Sequence, residues 1–275
     1  MANPSSVVAG EFDCHLYGNC GFPAPGTEIF QFNEIVHFSV FGIDFSIAKP
    51  TILLLLVSLI IIVFFSIAFL KPKLVPSKVQ SIGEVSYVFV RDQISRETIG
   101  KAGDRFVPFL FALFFFVFLN NFMGIVPGAQ FPATSLFVYP LVLALIVWVT
   151  YMFIGMKHQG PLKFFTNMMF PPGVPAGVLG ILAPIEFLSN IIVRPFTLAV
   201  RLMANMFAGH LLLTVFIVAS IYLFSPSVIG ILGSAASGLM TVIMTGFEFM
   251  IEALQAYIFT LLTASYIAGS LSHEH

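Results

Sequence analysis

Read from its first residue, the chain sets long apolar tracts between short polar connections. A hydrocarbon core about 30 Å thick takes roughly 20 apolar residues per perpendicular helix. Positions 51–70 are the first to meet that length, and they end at Lys71-Pro72-Lys73. Residues 79–100 carry apolar side chains three and four apart between Glu84, Arg91, Asp92, Arg96 and Glu97, which predicts an amphipathic helix lying in the membrane interface. Positions 106–126, closed by Pro127-Gly128, and 136–156, followed by Lys157, His158 and Lys163, predict the second and third spans. Two longer tracts follow, 181–224 and 228–271. At 1.5 Å per residue each is about 60 Å long, roughly twice the membrane thickness. Two spans per tract would need a turn, and Pro195 alone predicts a kink. The expected fold is therefore an all-α integral membrane protein, with three spans, an interfacial amphipathic helix and a C-terminal hairpin of two long tilted helices that turns at Ser225-Pro226. Residues 1–49 form a separate extracytoplasmic segment and 50–275 the membrane domain.

Composition agrees with lipid as the main solvent. Of 275 residues 58% are hydrophobic and 9% charged, against about 25% charged in soluble domains. A net charge of -1 says nothing about partners, but the lack of a basic cluster argues against nucleic-acid binding. The first 48 residues have no Lys or Arg and no sustained apolar core, so they lack the parts of a cleavable signal, and the first span is expected to direct insertion. Nine of the twelve basic residues (Lys71, Lys73, Lys78, Arg91, Arg96, Lys101, Arg105, Lys157, Lys163) fall in two segments. Both become cytoplasmic if the N-terminus is outside and the C-terminus inside. That choice also puts Cys14 and Cys20, the only cysteines, outside. In an oxidising compartment they are candidates for a small disulfide loop. Two inert thiols, or a metal held with His15, are the alternatives; four well-placed ligands are not evident.

Six ionisable side chains sit where the pattern places hydrocarbon: Glu186, Arg194, Arg201, His210, Glu248 and Glu252. Each costs about 2.5–3.5 kcal/mol on the insertion scale, so their presence points to function. With about 100° of rotation per residue, Asn190, Arg194, Arg201 and Asn205 fall in one stripe, which must face protein or water. His210 falls on the opposite face, toward the last helix, where Glu248 and Gln255 share a face. Chain direction puts Glu186 innermost, Arg201 and Gln255 central, and His210 with Glu248 outermost. Asn120 and Asn121 lie near the outer end of the second span, either lining a pore or closing the helix beside Pro127-Gly128. Glu252 divides evenly between pore lining and a structural hydrogen bond. Arg194 is either a second cation facing a partner or an anchor reaching for headgroups. Imidazole and carboxylate can pass protons near neutral pH, whereas guanidinium is effectively never deprotonated. Arg201 is thus a barrier to protons and an attractor for carboxylates, a logic that asks for a mobile partner with a buried carboxylic acid.

The run Arg194-Pro195-Phe196-Thr197-Leu198-Ala199-Val200-Arg201-Leu202-Met203-Ala204-Asn205-Met206-Phe207-Ala208-Gly209-His210 resembles the signature helix of subunit a of F-type ATP synthases. Leu254-Gln255-Ala256-Tyr257-Ile258-Phe259-Thr260-Leu261-Leu262-Thr263 and Asn120-Asn121-Phe122-Met123-Gly124-Ile125-Val126-Pro127-Gly128 are similar to its last helix and to the end of its second span. The resemblance covers nearly all of 50–275, and the N-terminal segment is similar to actinobacterial members. It implies Arg201 as the stator arginine facing a ring of c subunits, with Asn205 and Gln255 beside it. It also implies His210 and Glu248 in the outer proton half-channel and Glu186 toward the inner one. Peripheral-stalk b subunits and the rest of the synthase are the further partners implied, in the bacterial plasma membrane, with the proton as the transported ion and no cofactor. Some members exchange the acid and the imidazole between the positions of His210 and Glu248; the swap keeps the relay chemistry. A secondary transporter would show paired repeats with broken helices, and an intramembrane hydrolase a Gly-x-Ser-x-Gly or His-Glu-x-x-His motif; neither is evident.

Overall fold

The computed structural model of the protein describes residues 22, 26, 39, 40, 43, 44, 48–70, 72–126, 132–170 and 176–271. Cys14 and Cys20, the Pro127-Gly128 turn and the four C-terminal residues lie outside the described residues. Apart from a two-residue antiparallel ladder, β1 (Ser39–Val40) with β2 (Ile43–Asp44), the described elements are helical. Five helices are long and apolar enough to cross a membrane.

Helix α1, Lys49–Phe69, begins with Pro50, which suits a first turn because its missing N–H has no intrahelical partner there. It is apolar on all sides and leaves most of its side chains at least partly exposed, as a lipid-facing helix does. Helix α2, Lys78–Phe89, is capped by Ser77, whose hydroxyl accepts the Gln80 amide. The expected single helix over 79–100 is not uniform. A widened π turn, Val90–Arg96, follows α2, then one turn, Glu97–Ile99, and Gly100 ends it at φ 81°. The widening buries Val90, Ile94 and Ser95 against the bundle. It leaves Arg91 paired to Asp92 at 2.8 Å, half-buried, and Arg96 paired to Asp104 at 2.8 Å in the open. The hydrogen bond from Arg91 holds the Asp92 carboxyl below the usual carboxylate range.

A short 3-10 helix, Lys101–Phe106, feeds α3, Val107–Phe122. The Phe-rich run of α3 is packing surface: Phe65 of α1 meets Phe111 and Phe115 with ring centroids 4.6 Å and 4.9 Å apart. After a 3-10 turn, Ala133–Ser135, helix α4 runs Val138–Gln159. At one face of the bundle the Tyr139 and Thr51 hydroxyls meet at 3.0 Å, tying α4 to α1. At the opposite face the Gln159 amide donates to the Ser270 carbonyl at 3.0 Å.

Helix α5, Pro161–Met169, is an element the apolar pattern did not announce. Gly160 at φ 83° breaks α4 and Pro161 starts the new helix, which folds back on α4. The Phe164 ring fills the space that a Cβ on Gly155 would need. Helix α6, Ala176–Leu188, then runs through a π turn, Ser189–Val193, into α7, Arg194–Leu223, as one continuous rod. Helix α8, Val228–Leu271, returns alongside. The hairpin tip is closed by Ser227, whose hydroxyl accepts the Gly230 amide, and by Ser220 and Ser234, each donating to the other's carbonyl.

The core lies where α8 packs on α7, α3 and α4. Phe259, Leu198, Leu202, Leu110, Val147 and Ile267 fill it, and the fully buried Ala199, Ala256 and Ala264 let the helices approach closely. Overpacking a site of this kind typically costs about 1–3 kcal/mol. Gly155→Ala is therefore expected to displace Phe164 and lower the melting temperature of the detergent-solubilised protein. A melting curve unchanged from the parent would show that α5 is not held by this contact.

Candidate functional site

The polar positions converge on the seam between α7 and α8. On α8, Glu248, Glu252 and Gln255 repeat at four and three residues, so they share one face. They are 4%, 0% and 2% exposed. Both carboxyl oxygens of Glu248, both of Glu252 and Nε2 of Gln255 lack a hydrogen-bond partner among the described residues. Buried polar atoms left in that state are costly and rare, and they concentrate where a site handles protons or water.

The facing surface of α7 is shaped to meet them. Asn205 donates through Nδ2 to Gln255 Oε1 at 2.7 Å, a direct polar link between the two helices. Gly209 lies against Glu248; a Cβ there would stand 3.4 Å from Oε1, so the missing side chain sets the closeness of the seam. Thus the residue before His210 lies against Glu248. His210 itself is half-buried, and its carbonyl accepts the Thr214 hydroxyl at 2.7 Å.

Arg201 sits four residues before Asn205 with its side chain exposed, while Leu202 and Met206 turn into the core. Among the described residues no carboxylate pairs with it. The bland expectation for an intramembrane arginine, a carboxylate on its own chain, is not met there.

Asn190, Arg194, Arg201 and Asn205 were expected on one stripe, and the structure divides it. The π turn at Ser189–Val193 adds about one residue to a turn, which rotates everything upstream by about 100° relative to Arg201. Its cause is Pro195, whose ring would press on the carbonyl four residues back and whose nitrogen cannot donate. Asn190 is thereby turned inward, 5% exposed, and Arg201 and Asn205 are left outward. Asn190 Nδ2 donates to the Glu186 carbonyl at 2.7 Å and to Glu186 Oε2 at 3.3 Å. Arg194 lays its guanidinium 5.2 Å over the Tyr266 ring, and Tyr266 lies 5.5 Å from Tyr151. Glu186, Asn190 and Arg194 thus form a second polar group, distinct from the Glu248, Glu252 and Gln255 face and joined by two tyrosines that the hydropathy pattern does not single out.

At the end of α3, Asn120 donates to the Phe116 carbonyl at 2.8 Å, and Asn121 accepts the Thr134 hydroxyl at 2.6 Å. Both are buried. The first bond runs back one turn within α3 and the second ties α3 to the 133–135 turn, while Nδ2 of Asn121 is buried without a partner among the described residues. No group of three or more His, Cys, Asp or Glu side chains able to hold a metal occurs among the described residues.

The family model for the ATP synthase A chain matches residues 51–268, which takes in every polar group just described. ATP synthase subunit a of Streptomyces lividans is 47% identical over 275 residues, covering 100% of this chain and 96% of its own. That of Frankia alni is 44% identical over 259 residues, 93% of this chain and 88% of its own. That of a Nocardioides species is 40% identical over 266 residues, 93% and 95% respectively. Five membrane-length helices with a polar seam between the last two, and full-length similarity of this degree, place the chain in the subunit a family of F-type ATP synthases, as a multi-pass membrane component of that complex.

Proposed function

We propose that the chain forms two offset proton half-channels against a rotating ring of c subunits, with Arg201 as the stator charge between them. The observation that carries the reading is the exposed Arg201 on a membrane-length helix, with no carboxylate of the described chain paired to it. Such a charge is expensive in hydrocarbon, so its counter-ion belongs to a partner. A carboxylate on the c subunit fits, because it can approach Arg201 only as an anion and must give its proton to the far side first. The driving energy is about 2.3 kcal/mol per charge per 100 mV, before any pH term.

In this scheme the Glu248, Glu252 and Gln255 face, with His210, serves the outer half-channel, and the Glu186, Asn190 and Arg194 group serves the inner one. Asn205 and Gln255 brace the helix around Arg201. The transported ion is the proton, no cofactor takes part, and the chain alone catalyses nothing. Residues 1–49 lie outside, the C-terminus is cytoplasmic, and peripheral-stalk b subunits hold the chain against the torque of the ring.

Arg201→Ala is expected to abolish proton-driven ATP synthesis in inverted membrane vesicles while the complex still assembles; synthesis near the parental rate would refute the stator role. Loss of His210 or Glu248 singly should slow ATP-driven acidification of the vesicles. The swapped pair His210→Glu with Glu248→His should recover part of the rate, and a swap as inactive as the single variants would count against a shared relay.

A further inference from the structure

Tyr151 stands in the second half of α4 with 3% of its surface exposed, and its hydroxyl donates to the backbone carbonyl of Asn190 at 2.8 Å. Backbone carbonyls within a helix ordinarily have their donor inside the helix. This one is an exception for a reason visible in the sequence. Within the π turn the Arg194 amide donates to the Ser189 carbonyl, five residues back. The next bond in that register would run from position 195 to the Asn190 carbonyl, and Pro195 has no N–H to give.

We infer that Tyr151 is a positioning residue for proton transport: its hydroxyl supplies from α4 the donor that Pro195 withholds, and so holds the widened turn that sets the angle between Glu186 and Arg201. The ring is fixed for this task by Tyr266, 5.5 Å away, which in turn carries the Arg194 guanidinium at 5.2 Å. Three helices therefore meet at the turn. Without the hydroxyl, the Asn190 carbonyl is buried with no donor, and the helix regains one only by tightening toward α geometry. That change swings Glu186 and Asn190 by about 100° around the axis relative to Arg201. The Tyr151 hydroxyl is engaged with a carbonyl, so it orients the path and does not carry the proton. The inference rests on the half-channel reading given above for its link to transport, but not for its account of the turn.

The test is a double-mutant cycle in the assembled synthase in inverted vesicles. Tyr151→Phe keeps the ring and removes the donor, and is expected to cut the initial rate of ATP-driven acidification by about five- to tenfold. Pro195→Ala returns an N–H to the helix, so in that background Tyr151→Phe should cost less than about twofold. An equal loss in both backgrounds overturns the positioning role, and no loss in either overturns its link to transport. The second readout is amide hydrogen exchange over a peptide spanning residues 186–198 of the purified complex, which serves if Pro195→Ala alone silences pumping. Exchange should quicken in Tyr151→Phe and return toward the parental rate in the double variant; identical exchange in all four proteins also overturns the inference. Quickened exchange with undiminished pumping would support the assignment of the hydroxyl to the turn, and overturn the assignment of Glu186 to the proton path.

Discussion

A guanidinium cannot be neutralised by proton loss, and lipid cannot solvate it. Everything around Arg201 answers that constraint. Leu202 and Met206 bury the opposite side of α7, which fixes the direction in which Arg201 points. The Asn205 to Gln255 hydrogen bond secures the helix one turn away, and buried alanines on both helices keep the backbones close enough for that bond to form. The charge is therefore held at a set place on a stiff surface, as a counter-ion arriving from outside the chain requires.

The two polar groups lie at different levels and face different ways. Glu186 and Arg201 are fifteen residues apart, about 22 Å along the rod at 1.5 Å per residue, so neither is a counter-ion for the other. The π turn ahead of Pro195 rotates the upstream half of the helix away, and Glu186 engages Asn190. On the other side, Glu248 and Glu252 are enclosed by α8's own packing, and Gly209 allows α7 to cover Glu248 closely. The separation of the titratable groups is thus a consequence of helix geometry as much as of residue choice.

Much of this was legible in the sequence, because the strongest energies write the clearest patterns. The cost of polar atoms in hydrocarbon produces tracts whose lengths fixed five membrane helices, and it made Arg201, Glu248 and Glu252 conspicuous. What stayed hidden depends on weaker or longer-range terms. The π turn shifts angular position without altering hydropathy, so the expected stripe of Asn190 with Arg201 assumed a regular helix. Helix α5 begins at a Gly-Pro junction that reads equally as a loop. Asn120 and Asn121 are polar whether they line water or close a helix, and hydropathy does not reveal the Thr134 hydroxyl that Asn121 accepts. Tyr151 looks like any aromatic residue in a span until the carbonyl it serves is seen; a buried tyrosine's need for a hydroxyl partner was the available signal.

The reciprocal Ser220 and Ser234 bonds at the hairpin tip bear on a different property, rigidity under load. Away from the core, α7 and the first half of α8 pack mainly on each other among the described residues, and most of their side chains there are at least partly exposed. Two rods that can slide past one another bend almost as easily as one, whereas rods pinned at the far end must stretch or compress along their length to bend. The pinned tip makes the pair a composite beam, so a sideways push at the middle is transmitted to the core and not absorbed as sliding between the helices.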